Sequence, residues 1–593
     1  MLRLLLFAFA FSLIPFAFAE DNSPREVARP VAANAAGIGL QMPDLTGTRL
    51  DGKAFQLSAV MQGKKGCVVA ITSTSCPLSK KYLPTLLRLE KEFAARGIAF
   101  VYIDPIASDQ PKATELPASY LHDKTGALAK QLGTRTTTDV FLVDGKRTVV
   151  YRGAVDDQYG IGYSADEPKR NFLKDAIESL VEGKENKIPA TTAPGCELDL
   201  AQAKVEPVGV TYHNRISRIV QANCLTCHRE GGVGPFALAT MADMVAHKGM
   251  IKKVIEKGTM PPWHAAKPAD GPSPFVNDRS LSVADKADLL RWFESGAPAG
   301  DEKDAPLPRT FPKEWVIGTP DLIVELPKAI PVKATGTMGY QVVNVETNLE
   351  EDKWVSAVEV QPTAREVVHH VLVFSLPPVK KGVIDFSPRG EAQGYFAAYV
   401  PGNNAQIFPD GFARKLPKGS RIRFQIHYTP NGTATTDRTR FGMKFAAEPP
   451  KHEIHVLSLA NPKFQIPPGA NNHKDMAQLR IPVDAVILAY SPHMHVRGKA
   501  CRFELETPTG AKTTLLDVPH YDFNWQLQYK LAEPLKVSKG TTVRFIAWYD
   551  NSENNPANPN PKATVKWGPQ TYDEMLLGYI EYYFPNGSPF GGK

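Results

Sequence analysis

Three places in this 593-residue sequence carry side chains whose types and spacing could do chemistry. The most specific is Cys224-Leu225-Thr226-Cys227-His228, a C-x-x-C-H run. Two thiols one helical turn apart can each form a thioether to a haem vinyl group, and the adjacent imidazole then lies on the iron. A zinc knuckle or a disulfide would use the same cysteines, but no second Cys/His pair stands at zinc spacing. Downstream, Gly258-Thr259-Met260-Pro261-Pro262-Trp263-His264 supplies Met260 as the second axial ligand, with His264 as its rival. Two prolines after Met260 hold the backbone extended, and a thioether raises the iron potential, which suits electron transfer.

The second place is rich in histidine: nine of the fourteen follow residue 310. His493-Met494-His495 puts two imidazoles at i and i+2, on one face of a strand, where both can hold one metal ion. His369 and His370 are neighbours in one strand-like run and His427 lies in another. Neighbours on a regular strand point to opposite faces. An ion shared by His369 and His370 therefore requires a local bend or the use of different ring nitrogens. Imidazoles with a thioether suit copper cycling between Cu(I) and Cu(II), while spacing alone leaves zinc open. His452, His455, His473 and His520 are expected to be structural or exposed.

The third place is Ser75-Cys76-Pro77-Leu78-Ser79, which ends an apolar strand and opens a helix. A thiolate at a helix N-terminus is stabilised by the helix dipole. Ser79 stands where a C-x-x-C pair would have its second cysteine, so Cys76 has no local partner. It could act as a peroxidatic thiol resolved by Cys67 or Cys196, or form a plain disulfide with Cys196, or belong to a domain kept for docking. A structural or docking role is favoured over catalysis. Cys67, inside an apolar strand, reads as a buried thiol.

The elements that must position these groups differ along the chain. Residues 38–185 alternate strands (GCVVAITS, GIAFVYID) with an amphipathic helix, then form a hairpin, the thioredoxin arrangement. Residues 186–205 read as a linker. Residues 206–305 are helical, the last helix starting at Ser282 as N-cap with Asp285 three residues on. From 306 the pattern turns to short alternating strands broken by turn signals, enough for two all-β sandwiches over 306–450 and 451–593. The chain is thus multidomain: α/β, then all-α, then tandem β.

Residues 1–19, with Arg3, an apolar run and Ala17-Phe18-Ala19, read as an export signal cleaved after Ala19. No later segment has the roughly 20 apolar residues of a membrane span. A periplasmic or secreted chain is expected, in an oxidising compartment. The net charge of +7 is too dilute over this length to argue for nucleic acid, and six cysteines are too few for a disulfide scaffold.

Several of these motifs resemble known families. The Met260 context is similar to the sixth-ligand loop of class I cytochromes c. Residues 38–185 look like the redoxin/peroxiredoxin-like branch of the thioredoxin superfamily, with Thr138 where thioredoxins place a cis-proline. VVHHVLVF, FQIHYTPNG, SPHMHVRGK and DEMLLGYIEYYF occur in the order found in the ascorbate-dependent type II copper monooxygenases, the peptidylglycine α-hydroxylating and dopamine β-monooxygenase group. That resemblance implies two eight-stranded jelly rolls, each with one copper. His369, His370 and His427 match the electron-delivering copper. His493, His495 and Met575 match the copper that binds O2, and Tyr579 matches a substrate-pocket tyrosine. Ser491-Pro492, before His493, lacks the arginine with which peptide-amidating enzymes hold a carboxylate, and only Cys501 remains of the animal enzymes' disulfides.

The expectation is an exported monooxygenase that hydroxylates a C–H bond of a small molecule with O2. Its electrons would come from ascorbate, from the fused haem c, or from a donor protein feeding the haem. A non-enzymatic haem/copper electron carrier and a thiol peroxidase centred on Cys76 are the competing readings.

Overall fold

The computed structural model describes residues 25–33, 36–184, 186–200, 209–268, 272–378 and 394–587. The expected signal segment 1–19 lies outside them. No helix among the described residues is long and apolar enough to cross a membrane.

The first unit is built on a five-stranded sheet. Its strands are β1 (Gly66–Ile71), β2 (Ile98–Asp104), β3 (Tyr120–His122), β4 (Val140–Asp144) and β5 (Val149–Gly153), in the order β3-β2-β1-β4-β5. β1 pairs parallel with β2 and antiparallel with β4. Every residue of β1 is buried because the sheet is covered on both faces. Val68 and Ala70 enter one core and Cys67, Val69 and Ile71 the other, as the two-residue strand period demands. Helix α1 (Pro77–Phe93) lies on the first core, with Cys76 as its N-cap residue and Pro77 in its first turn.

The expected linker is not loose. Pro30 and Thr191, Arg152 and Ala190, and Thr136 and Glu197 form β-bridges, so residues 186–200 close the edge of the first unit. The composition resembled a linker because this segment pairs through its backbone, which leaves little trace in residue type.

Next come α2 (Ser217–Asn223), α3 (Met241–Ala246), α4 (Lys248–Glu256) and α5 (Val283–Glu294), around Ile216, Ile219, Leu289 and Trp292. The Asp285 amide donates to Ser282 Oγ at 3.0 Å, the expected cap. Between α4 and α5 the chain leaves this group of helices: Trp263 and Phe275 pack on Tyr529 in the core of the C-terminal sandwich, and Phe275 bridges Leu531.

Two β sandwiches follow. In the first, β6 (Gln341–Glu346), β7 (Val368–Leu376), β8 (Tyr395–Tyr399) and β9 (Arg421–Tyr428) form a sheet ordered β6-β9-β7-β8, packed on a second sheet. In the second, β10 (His455–Ala460), β11 (Ala485–His493), β12 (Tyr529–Val537) and β13 (Leu577–Tyr583) form a sheet ordered β10-β13-β11-β12, facing another four strands. Its two main sheets hold four strands each, whereas those of the first sandwich hold six and four, where the resemblance implied two rolls of eight. A buried ion pair between Arg414 of the first sandwich and Glu581 of the second joins them, and Gln406 donates to both Glu581 oxygens at 3.1 and 3.0 Å.

Candidate functional site

β7 and β9 pair so that His370 stands opposite His427, and the register slips between Val368 and His370. That bulge supplies the bend that neighbouring histidines needed. Both rings turn to one side, and all three imidazoles converge through the same nitrogen. His369 Nδ1 lies 2.9 Å from His370 Nδ1 and 3.2 Å from His427 Nδ1. Ligand atoms of the three residues lie within 4.8 Å of one another. Different ring nitrogens are not needed. Thr571 Oγ1, from the second sandwich, contacts His427 Nε2 at 3.4 Å and leaves Nδ1 to face its neighbours.

His493 ends β11, opposite Leu577 of β13, and His495 follows in the loop. Here the opposite nitrogen is occupied. His493 Nδ1 lies 2.6 Å from Gln526 Oε1, and His495 Nδ1 lies 3.3 Å from the Asp573 carbonyl. A ring that donates from Nδ1 keeps the Nε2 lone pair for a metal. His495 Nε2 is buried without a hydrogen-bond partner, and so is His370 Nε2. Polar atoms are rarely left so in a folded interior. Burial is the largest influence on every one of these imidazoles. It pushes His369 and His493 down to about 4, and His370, His427 and His495 well below the ordinary histidine range. All five are neutral donors at neutral pH, the form in which imidazole binds metals.

The two groups share one wall. The rings of His370 and His493 are 6.1 Å apart, and Phe523 packs on His369 at 4.7 Å, on His427 at 5.6 Å and on His495 at 6.3 Å. Tyr340 stands between His427 and His495, at 4.8 and 5.9 Å. The two groups are neighbours, with Phe523 and Tyr340 packed against rings of both.

Met575 is buried with Leu577 and Tyr579 in a small cluster at the start of β13. The carboxylate of Glu574 holds this corner: it accepts from the amides of His495 (2.8 Å), Arg497 (2.7 Å) and Met575 (3.2 Å). Burial outweighs these bonds and raises Glu574 to about 7. Tyr579 stacks on Tyr395 at 4.4 Å, and both line a cleft with Ser491, His493 and Gln526. Sequence reasoning missed Gln526, Thr571, Phe523 and Glu574. Only Glu574, a carboxylate next to a candidate ligand in an apolar strand, left a signal that could have been read.

In the helical region His228 Nδ1 lies 3.0 Å from the Phe236 carbonyl, which frees Nε2. The His228 amide donates to Cys224 O at 2.9 Å, so both cysteines and the histidine lie on one turn. Met260 follows α4, its amide directed at Val254 O (3.3 Å). His264 lies with the second sandwich, beside His520 and Asp522, with burial pushing it down. His247, which the sequence did not single out, stacks on Phe236 at 3.8 Å. Cys227 Sγ meets the first sandwich: a Cβ on Gly402 would stand 2.8 Å from it.

In the first unit Cys76 and Cys196 come together, their sulfurs 2.8 Å apart and both buried. Burial works to raise Cys76, but hydrogen bonds from Cys196, Thr137 and Ser79 outweigh it and bring the thiol to about 6, while Cys196 is held well above the usual range. Cys67 lies in the opposite core, pushed up to about 12 by burial. It is inert, as expected, and cannot resolve Cys76. Thr138 Oγ1 donates to Pro194 O at 2.8 Å, which fastens the segment bearing Cys196 beside Cys76.

A sequence model of the redoxin family matches residues 38–169. The model described as "Copper type II ascorbate-dependent monooxygenase, C-terminal domain" matches residues 454–590. The chain therefore carries a thioredoxin-like redoxin domain followed, after the helices, by a mostly β region that ends in this copper monooxygenase domain. The second match covers His493, His495, Met575 and Tyr579. His369, His370 and His427 lie outside it and rest on their geometry.

Among solved structures, an uncharacterized conserved protein from Geobacillus kaustophilus is 25% identical, covering 30% of this chain and 98% of its own, with a TM-score of 0.26. Peroxidoxin BcpB from Mycobacterium tuberculosis is 18% identical (24% and 96% covered, TM-score 0.19). A thioredoxin-family thiol:disulfide interchange protein from Chlorobium tepidum TLS is 20% identical (26% and 97%, TM-score 0.19). No curated protein matches the chain.

Proposed function

We propose that this chain is an exported copper-dependent monooxygenase that hydroxylates a C–H bond of a small neutral molecule with O2. One copper is held by His369, His370 and His427, the other by His493, His495 and Met575. Copper in these positions supplies one-electron redox chemistry and activates O2. The observation that carries the reading is the convergence of three imidazoles through Nδ1 in one group, beside a second group in which His495 Nε2 is buried without a hydrogen-bond partner.

The chain's own side chains do the rest. Gln526 and Thr571 fix the ring orientations. Phe523 and Tyr340 cover the imidazoles and keep water from their faces. Tyr579, Tyr395, Gln526 and Asn403 line the cleft beside His493. Among the described residues its lining carries no residue of a charged type apart from His493, which suits a neutral substrate better than a peptide terminus.

Haem c at Cys224 and Cys227, with His228 and Met260 as axial ligands, serves as an electron entry in place of ascorbate or alongside it. The free Nε2 of His228 and the contact of Cys227 with Gly402 support this.

The test is metal analysis of the full-length protein with O2 uptake under ascorbate. Two coppers and one haem per chain, with uptake that depends on an added C–H substrate, are expected. Copper bound without substrate-dependent uptake would leave an electron-transfer protein instead.

A further inference from the structure

We propose that Cys76 and Cys196 form an internal dithiol that supplies two electrons to the metal centres of the same chain, entering them at the haem site of Cys224, Cys227 and His228. The proposal rests on the haem reading above and gives the redoxin domain a role within it.

Three observations carry it. First, the missing partner of Cys76 is supplied from the segment after the domain: the sulfurs are 2.8 Å apart, with Cys76 1% and Cys196 8% exposed. A partner protein's thiol cannot reach Cys76, so its redox partner is internal.

Second, that segment is pressed against the helix that follows the haem motif. A Cβ at Gly249 of α4 would stand 2.6 Å from Asp199 N and 2.7 Å from Glu197 O. Lys252 and Lys253 pair with Asp199 and Glu197, both at 3.3 Å. Met250 packs on the core that contains both cysteines.

Third, a continuous run of contacts joins the Cys76 loop to His228. The Cys76 amide donates to Ser73 Oγ at 3.1 Å, and Ser73 Oγ donates to Asp109 at 2.7 Å. Ser108, next in the chain, contacts His247 Nε2 at 3.2 Å. His247 stacks on Phe236, whose carbonyl meets His228 Nδ1.

The step balances as follows. The Cys76 thiolate and the Cys196 thiol form one S–S bond and release one proton and two electrons. The first electron reduces one haem Fe(III) and leaves the sulfur pair as a transient disulfide radical anion; the second leaves and completes the S–S bond once the haem has handed its electron on. Two electrons are what one hydroxylation consumes together with O2 and two protons. Dithiols have low potentials and a thioether-ligated haem a raised one, so transfer runs from sulfur to iron. Recharging takes two external small thiols: the first attacks at Cys196, the more exposed residue of the pair, and releases the Cys76 thiolate, and the second frees Cys196 and carries the first away as a disulfide.

The experiment uses the copper-free full-length chain carrying its haem, reduced with dithiothreitol and freed of it without oxygen. Two equivalents of ferricyanide, one for each electron of the dithiol, are added while haem absorbance is followed, and thiols are counted after denaturation. Haem is expected to be oxidised and then to return to the reduced state at a rate independent of protein concentration. The same two equivalents bring the loss of two thiols per chain. Cys76→Ser and Cys196→Ala each abolish the return and Cys67→Ser keeps it; either of the first two suffices where the other does not fold.

Haem that stays oxidised while both thiols remain titratable overturns the proposal and leaves the haem reading intact. A return of equal rate in both Cys76→Ser and Cys196→Ala does the same. A purified chain without covalent haem overturns both, and the copper reading then stands on its metal count alone.

Discussion

The two histidine groups use the same side chain in opposite ways. At His369, His370 and His427 the inner nitrogen Nδ1 faces the shared space, and Thr571 occupies the outer nitrogen of His427. At His493 and His495 the inner nitrogen is occupied by Gln526 and by the Asp573 carbonyl, and the outer nitrogen of His495 is buried without a hydrogen-bond partner. At His427, His493 and His495 the neighbours fix the tautomer before any metal arrives, whereas the outer nitrogens of His369 and His370 are buried without a hydrogen-bond partner. Ligation through Nδ1 holds an ion close to the strands, packed between three rings. Ligation through Nε2 holds it a ring's length from the backbone, on the side of the cleft with Tyr579. An electron-relay role suits the first arrangement, and contact with small molecules suits the second.

Removing a ligand gives the largest effect and divides the groups cleanly. His370→Ala is expected to lower bound copper from two per chain to one and to abolish substrate-dependent O2 uptake, while the copper at His493 and His495 stays. His495→Ala is expected to do the reverse for metal and the same for uptake. Loss of both coppers in either variant would mean that the groups, 6.1 Å apart at their closest rings, form a single unit. Metal analysis of the two variants decides it.

The next effect tests whether the groups depend on being held together. Arg414 and Glu581 tie the sandwiches with side chains only 3% and 6% exposed. Glu581→Gln leaves the guanidinium buried without its counter-charge, which costs about 3–5 kcal/mol of stability. Denaturant unfolding is expected to show that loss, and Arg414→Met combined with Glu581→Leu is expected to recover most of it. Copper stoichiometry at low temperature should be unchanged in both. If copper is lost from one group alone, the ion pair positions that group rather than the interface.

The contrast also marks what could be read in the sequence. The β-rich runs and the C-x-x-C-H turn follow from period and spacing, and their elements lie where expected; the i, i+2 pair does not share a strand, since His493 ends β11 and His495 lies in the loop after it. The bulge between Val368 and His370 did not follow, because a bulge is a register difference between two strands and one strand's sequence does not contain it. Gln526 and Thr571 were equally silent: a neutral polar residue in a loop acquires its role only when folding brings it within reach of an imidazole. Cys196 was read as one of several possible partners for Cys76. What singles it out is the backbone pairing of residues 186–200, and composition disguised that pairing as a linker.

The two remaining predictions act on those silent neighbours. Gln526→Leu removes the acceptor that holds the His493 tautomer, and loss of such an outer contact weakens metal binding by about 10–100-fold. Competition with a copper chelator should show the loss at His493 and His495 only.

Thr571→Val is the smaller counterpart. Its contact with His427 is long, at 3.4 Å, and a neutral hydrogen bond contributes about 0.5–1.5 kcal/mol, so copper at the first group should weaken by no more than about tenfold. The asymmetry has a structural cause. His427 is held by its position opposite His370 in paired strands, which orients the ring without help, whereas His493 ends its strand and depends on Gln526. A Thr571→Val effect as large as that of Gln526→Leu would mean that strand pairing does not orient the first group and that both groups are set by their hydrogen-bonded neighbours.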